Sequence, residues 1–111
     1  MELKRLDAAT VAQLDAFDEV IDVRSPPEFT DALGHIHGAR LLPLPELAAR
    51  ASEIDRERPV VTVCRSGTRS AQAMLLLQKA GFSRVANLAG GMLRWHAEAL
   101  PVEGAMHWRS P

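Results

Sequence analysis

Pro59-Val60-Val61-Thr62-Val63, followed at once by Cys64-Arg65-Ser66-Gly67-Thr68-Arg69, is the stretch from which the architecture follows. The first five residues are β-branched or apolar and open on a proline, which predicts a strand. They show no polar alternation, so the strand is expected to be covered on both faces. From the loop to about Ala80 the chain reads as one long helix, with Ala73, Leu76, Leu77 and Ala80 on a single apolar face. Gly81 supplies its stop. A buried strand that passes through a tight loop into a helix is the unit of a parallel α/β sheet.

The same alternation extends outward in both directions. Upstream, Glu19 to Arg24 predicts a strand that ends at the Ser25-Pro26-Pro27 turn. The prolines open a short helix with Ser25 as its cap. Arg40 to Leu42 predicts a second short strand, and Pro45 to Ile54 a helix rich in Glu, Leu and Ala. Downstream, Val85 to Leu88 predicts a strand, and Gly90-Gly91 turns the chain into a last helix through Trp95. From Pro101 onward the sequence reads as loop. Strands separated by helices predict a sheet with helices on both faces.

A chain of 111 residues predicts a single domain spanning 1–111. Its 13 Lys+Arg against 14 Asp+Glu give a net charge of −1, no footprint for nucleic acid or an acidic membrane. Cys64 is the one cysteine, so no intramolecular disulfide can form. Residues Met1 to Asp7 are charged and lack a signal-peptide core, and no apolar run reaches the ~18 residues of a membrane span. The expected setting is the cytoplasm.

The loop after the central strand carries the chemistry. In open α/β sheets, ligands bind at the carboxyl ends of strands, where Cys64 stands. Gly67 gives the loop backbone freedom. The helix that follows aims unpaired N–H groups and its positive end at the loop. Arg65 and Arg69 flank the thiol in sequence. All of these favour thiolate over thiol and predict a lowered pKa for a partly exposed, reactive cysteine.

Taken in order, Asp22-Val23-Arg24, Glu28-Phe29, Gly34-His35-Ile36 with Gly38-Ala39, Cys64 to Arg69, and Gly90-Gly91-Met92 with Trp95 resemble the rhodanese (sulfurtransferase) homology family. The resemblance runs from about residue 20 to 102 and is of the single-domain type. It implies a three-layer α/β/α fold with a central five-stranded parallel sheet. It implies that Cys64 forms a persulfide, and that Arg65, Ser66, Gly67, Thr68 and Arg69 form the bed for the sulfur and its anionic donor. Two departures lie far from the loop: four residues separate Phe29 from Gly34 where many members have two, and His37 stands where proline is common. Four residues lie between Cys64 and Arg69, as in members that transfer sulfur. Phosphatase relatives have a loop one residue longer, wide enough for a tetrahedral phosphate or arsenate.

The implied activity is transfer of a sulfane sulfur from a donor such as thiosulfate to cyanide or a thiol. It proceeds in two half-reactions with ping-pong kinetics. No cofactor or metal is needed, and with no second cysteine the acceptor must come from outside. A carrier module in a protein relay is the alternative, with a phosphatase or arsenate reductase ranked below it.

Other residues carry simpler expectations. Asp22 and Arg24 should form an ion pair with each other or with Glu28, as framework. Arg69 binds the donor or braces the loop by pairing inward. Ser66 and Thr68 hydrogen-bond the substrate or cap the following helix, with Thr68 the expected cap. His35 and His37 lack a third metal ligand nearby, and His35 should cap or bridge a turn. Trp95 should anchor the core. His96 and His107 should lie on the surface, and Trp108 in the tail.

Overall fold

The computed structural model describes residues 17–104, so His107 and Trp108 lie outside the described residues. The elements are β1 (Glu19–Asp22), α1 (Pro26–Phe29), β2 (Arg40–Leu41), α2 (Leu44–Arg50), β3 (Val60–Val63), α3 (Thr68–Lys79), β4 (Val85–Asn87) and α4 (Gly91–Ala97). The helix expected from Pro45 to Ile54 is in two pieces, since Ala51–Glu53 tightens into a 3₁₀ turn after α2.

All the strand pairings are parallel, in the order β2-β1-β3-β4. Ile21 lies opposite Arg40 on one side and Thr62 on the other, and Val61 lies opposite Ala86. β1 and β3 occupy the middle of the sheet. Every residue of β3 is buried.

Alternation along β3 divides the core. Val60 packs with Ile21, Leu47, Ala73, Met74 and Leu77, beneath α2 and α3. Val61 and Val63 pack on the other face with Leu88, Met92 and Trp95, beneath α4. Helices therefore cover both faces. The predicted stripe on α3 faces the sheet, with Ala73 and Leu77 fully buried and Leu76 and Ala80 partly so.

The five-stranded expectation is corrected to four strands among the described residues. The sequence between 17 and 104 holds only four strand-like runs; the fifth came from the resemblance alone. The remaining extended piece near the C-terminus makes a single antiparallel bridge, Glu103 to His35, and joins no sheet.

Candidate active site

In the order β2-β1-β3-β4 the chain leaves β1 toward one edge and returns through β3 on the other side. The crevice between their carboxyl ends is the switch point where α/β sheets bind ligands. Cys64 stands there, one residue past β3.

Gly67 has φ +105° and takes the N-cap position of α3. The expectation that Thr68 caps this helix is corrected, because only glycine enters that left-handed turn without strain. Gly67 has no side chain to satisfy the first amides of α3, and the Cys64 sulfur does so instead. Sγ accepts a hydrogen bond from the Gly67 amide at 3.0 Å and lies 3.3 Å from the Ser70 hydroxyl. The backbone amides of Ser66 and Ser70 also turn toward it. Burial by itself pushes the Cys64 thiol up; the Ser70 hydroxyl and the three amides outweigh it and bring the thiol below its ordinary value.

The thiol is less open than expected: Cys64 is 1% exposed. The physical reason is the loop itself, whose amides close over the sulfur on one side while the α3 core closes the other. A reactive thiol here depends on those donors rather than on contact with water.

The N-terminus of α4 holds the loop peptides in this orientation. The Met92 amide donates to the Cys64 carbonyl and the Leu93 amide to the Arg65 carbonyl, both at 2.9 Å. With the Arg65 carbonyl drawn toward α4, the Ser66 amide on the same peptide turns inward. Such close approach needs glycine at the start of α4. A Cβ on Gly91 would stand 2.4 Å from the Cys64 carbonyl oxygen and 2.5 Å from that of Arg65.

The two arginines separate in role. Arg65 is exposed, as are Ser66 and Thr68, and no ion pair ties it down among the described residues. Arg69 turns inward and grips Glu28 with both terminal nitrogens, at 2.8 and 2.9 Å. Glu28 also accepts the Ser25 amide and hydroxyl, each at 3.0 Å, so α1 is tied to the loop. The Arg69 guanidinium, ahead of the Ser25 donors and against some burial, lowers the Glu28 carboxyl to about 2. A depressed carboxyl stabilises the fold above its unfolded value of 4.5, and that contribution disappears as pH falls toward about 2. Glu28→Gln is therefore expected to lower stability by about 1 kcal/mol at neutral pH. In urea unfolding, the gap between variant and parent should close across that acid window; a pH-independent gap would refute the pairing.

Asp22 pairs with Arg24 rather than with Glu28. Arg24 Nε donates to Oδ1 at 2.9 Å and Nη2 to Oδ2 at 2.7 Å, with both residues at 0% exposure. Nη2 also donates to the Gly34 carbonyl at 2.7 Å. The longer segment after Phe29 delivers that carbonyl by turning on Asp31, whose backbone oxygen accepts the Gly34 amide at 2.9 Å. His35 bridges this turn through Nδ1 and the Phe29 carbonyl at 2.8 Å, and stacks on the Phe29 ring. His37 meets Glu103 on the surface. Trp95 is buried with its indole N–H on the Pro101 carbonyl, and His96 is exposed.

Sequence reasoning missed Ser70 and Asn87. Ser70 is fully buried beside the sulfur, its hydroxyl bonded to Asn87 Oδ1 and its carbonyl held by the Thr62 hydroxyl at 2.8 Å. A serine three positions after the cap glycine was the available signal. Asn87 lies on another strand and gave none.

The rhodanese-like domain model matches residues 3–98, most of the chain. The chain belongs to the rhodanese-like domain family. This rhodanese-like domain is 39% identical to a sulfurtransferase of Allochromatium vinosum over 103 residues, 90% of this chain and 94% of that protein. It is 35% identical to the thiosulfate sulfurtransferase GlpE of Ectopseudomonas mendocina, covering 94% of each. Among solved structures, a rhodanese-related protein from Thermoplasma volcanium superposes with a TM-score of 0.82 at 28% identity, covering 94% of this chain and 99% of that one. Among the described residues, no helix of this rhodanese-like domain is long and apolar enough to cross a membrane.

Proposed function

We propose that this rhodanese-like domain is a sulfurtransferase that takes a sulfane sulfur from thiosulfate and passes it to cyanide or a thiol through a persulfide on Cys64. The convergence of the Ser66, Gly67 and Ser70 donors on the only cysteine supports this reading most directly.

The Cys64 thiolate attacks the outer sulfur of the donor. A new S–S bond forms, the donor's own S–S bond breaks, and sulfite departs with the electron pair. The acceptor then attacks the outer sulfur of the persulfide, and the Cys64 thiolate leaves. Donors already fixed around the sulfur stabilise negative charge without reorganising at the moment of reaction. Arg65, exposed at the mouth, takes the sulfonate end of the donor. Arg69, held by Glu28, braces the loop that carries Ser66, Gly67 and Thr68. The thiolate must stay reduced, which suits the cytoplasm. The cradle encloses one sulfur atom at hydrogen-bonding distance, which disfavours phosphoryl transfer.

Intact-mass measurement after incubation with thiosulfate tests this. The parent chain should gain one sulfur atom and lose it to cyanide, Cys64→Ser should gain none, and Arg65→Ala should need more thiosulfate for the same loading. Absence of an adduct from thiosulfate, with loading from a protein persulfide instead, would replace this reading with a carrier in a relay.

A further inference from the structure

We propose that Asn87 is a positioning residue that competes with the Cys64 sulfur for the single hydrogen of the Ser70 hydroxyl. The active-site thiol is then bonded through to Asn87, while the thiolate must draw that hydrogen away. The part of this inference that concerns sulfur transfer rests on the sulfurtransferase reading above; the competition itself does not.

Asn87 ends β4, paired in register with Thr62 of β3, and is 6% exposed. Its amide orientation follows from its neighbours. Nδ2 lies 3.3 Å from the Gly67 carbonyl oxygen, which can only accept. Oδ1 must therefore be the atom facing Ser70, and Oδ1 also can only accept. The Ser70 hydroxyl is thus required as a donor to Asn87. The same hydroxyl lies 3.3 Å from Cys64 Sγ. A serine hydroxyl has one hydrogen and cannot serve both acceptors at once.

The two protonation states of Cys64 differ in how this count closes. With the thiol, S–H donates to Ser70 Oγ, and Ser70 donates to Asn87 Oδ1, so each acceptor in this chain of three has its donor. With the thiolate, the sulfur no longer donates, and two acceptors face one hydrogen. Turning the hydroxyl to the sulfur stabilises the anion but leaves Asn87 Oδ1 buried without that bond. Asn87 therefore opposes the anion on the inner sulfur. In a persulfide the negative charge resides on the outer sulfur, and the hydroxyl returns to Asn87. The pull of Asn87 keeps the entering thiolate loosely held and reactive, and works against departure of the same thiolate during discharge.

Other charges around the sulfur stay in place when Asn87 changes. Arg69 is tied to Glu28, Arg24 to Asp22, and Arg65 is exposed on the loop. The Gly67 carbonyl also keeps a donor, because the Ala71 amide reaches it at 3.1 Å. Removing the Asn87 side chain therefore strands no carbonyl.

Because the chain has one cysteine and no tyrosine, ultraviolet thiolate absorbance against pH reports Cys64 directly, with Cys64→Ser as the blank. Asn87→Ala should lower the titration midpoint by about 0.5–1 pH unit, the equivalent of one net hydrogen bond. Asn87→Asp, nearly isosteric and a stronger acceptor, should raise it. Ser70→Ala should raise it too, and in that background Asn87→Ala should move nothing further. An unchanged or raised midpoint in folded Asn87→Ala, or an equal shift with and without Ser70, would overturn the proposal. Should Asn87→Ala fail to fold, the comparison of Asn87→Leu, which keeps the volume and removes the acceptor without adding charge, with and without Ser70 decides. Sulfur loading by intact mass is read on the same samples: failure to load with the shifts present rejects the sulfurtransferase reading alone, and loading without the shifts rejects the role of Asn87 alone.

Discussion

Gly91→Ala is expected to slow sulfur loading of Cys64 by about 100-fold or more, the scale seen when a preorganised donor to a developing anion is lost. Gly91 is nowhere near the sulfur in sequence, yet it sets where the loop carbonyls go. An added Cβ would overlap the Cys64 and Arg65 carbonyl oxygens at 2.4 and 2.5 Å. Those atoms are backbone and cannot swing aside as a long side chain can. Relief requires the loop to move away from α4, which breaks the hydrogen bonds from the Met92 and Leu93 amides and turns the Ser66 amide off the sulfur. Gly91 also has φ +58°, where alanine costs about 1–2 kcal/mol before any collision. Single-turnover loading, followed by intact mass on protein shown to be folded by circular dichroism, measures the effect. A folded Gly91→Ala that loads at the parent rate would mean that α4 does not orient the cradle.

Asp22→Ala is expected to cost about 3–5 kcal/mol of stability, a large fraction of the 5–15 kcal/mol of an ordinary domain. The reason is what remains behind. Arg24 is fully buried, and Asp22 accepts from its Nε, its Nη2 and its backbone amide. Without the carboxylate, a guanidinium is left in the interior with the Gly34 carbonyl as its remaining acceptor. The double change Asp22→Leu with Arg24→Met should recover much of the loss, because neither charge is then stranded. Urea unfolding of the parent, Asp22→Ala and the double variant checks this. A loss below about 1 kcal/mol for Asp22→Ala, the range of a solvated pair, would show that the pair is open to water.

Both predictions place the energetics of the site in its scaffold. The sulfur takes amides from the loop and the start of α3, α4 fixes the peptide that presents the Ser66 amide, and Arg69–Glu28 ties a third element to the loop. Arg65 alone among the loop arginines remains free of ion pairs among the described residues, consistent with its proposed contact with an incoming anion.

What could be read along the chain was whatever depends on near neighbours. β3 announced itself because its residues are all apolar or β-branched with no polar alternation, as suits a strand covered on both faces. α3 did so because its apolar stripe has helical spacing, and the α1 cap because serine stands before two prolines. The Asp22–Arg24 pair was legible as one of two choices, since the partners sit two residues apart. The Thr68 cap was misplaced because a positive φ at Gly67 shifts the helix start, and backbone dihedrals are not written in residue types. The fifth strand was misplaced because it came from likeness and not from any run between residues 17 and 104.

A parallel α/β chain with one cysteine at the mouth of its central strand is written in the residue order alone, because hydrophobic periodicity and turn chemistry are local properties. Which groups face that sulfur is set by the packing of distant segments. Arg69 turns to Glu28 across 41 residues, and Asn87 reaches Ser70 across 17. Such contacts arise from strand order and helix packing, and the residues that make them carry no mark of it in their own neighbourhoods.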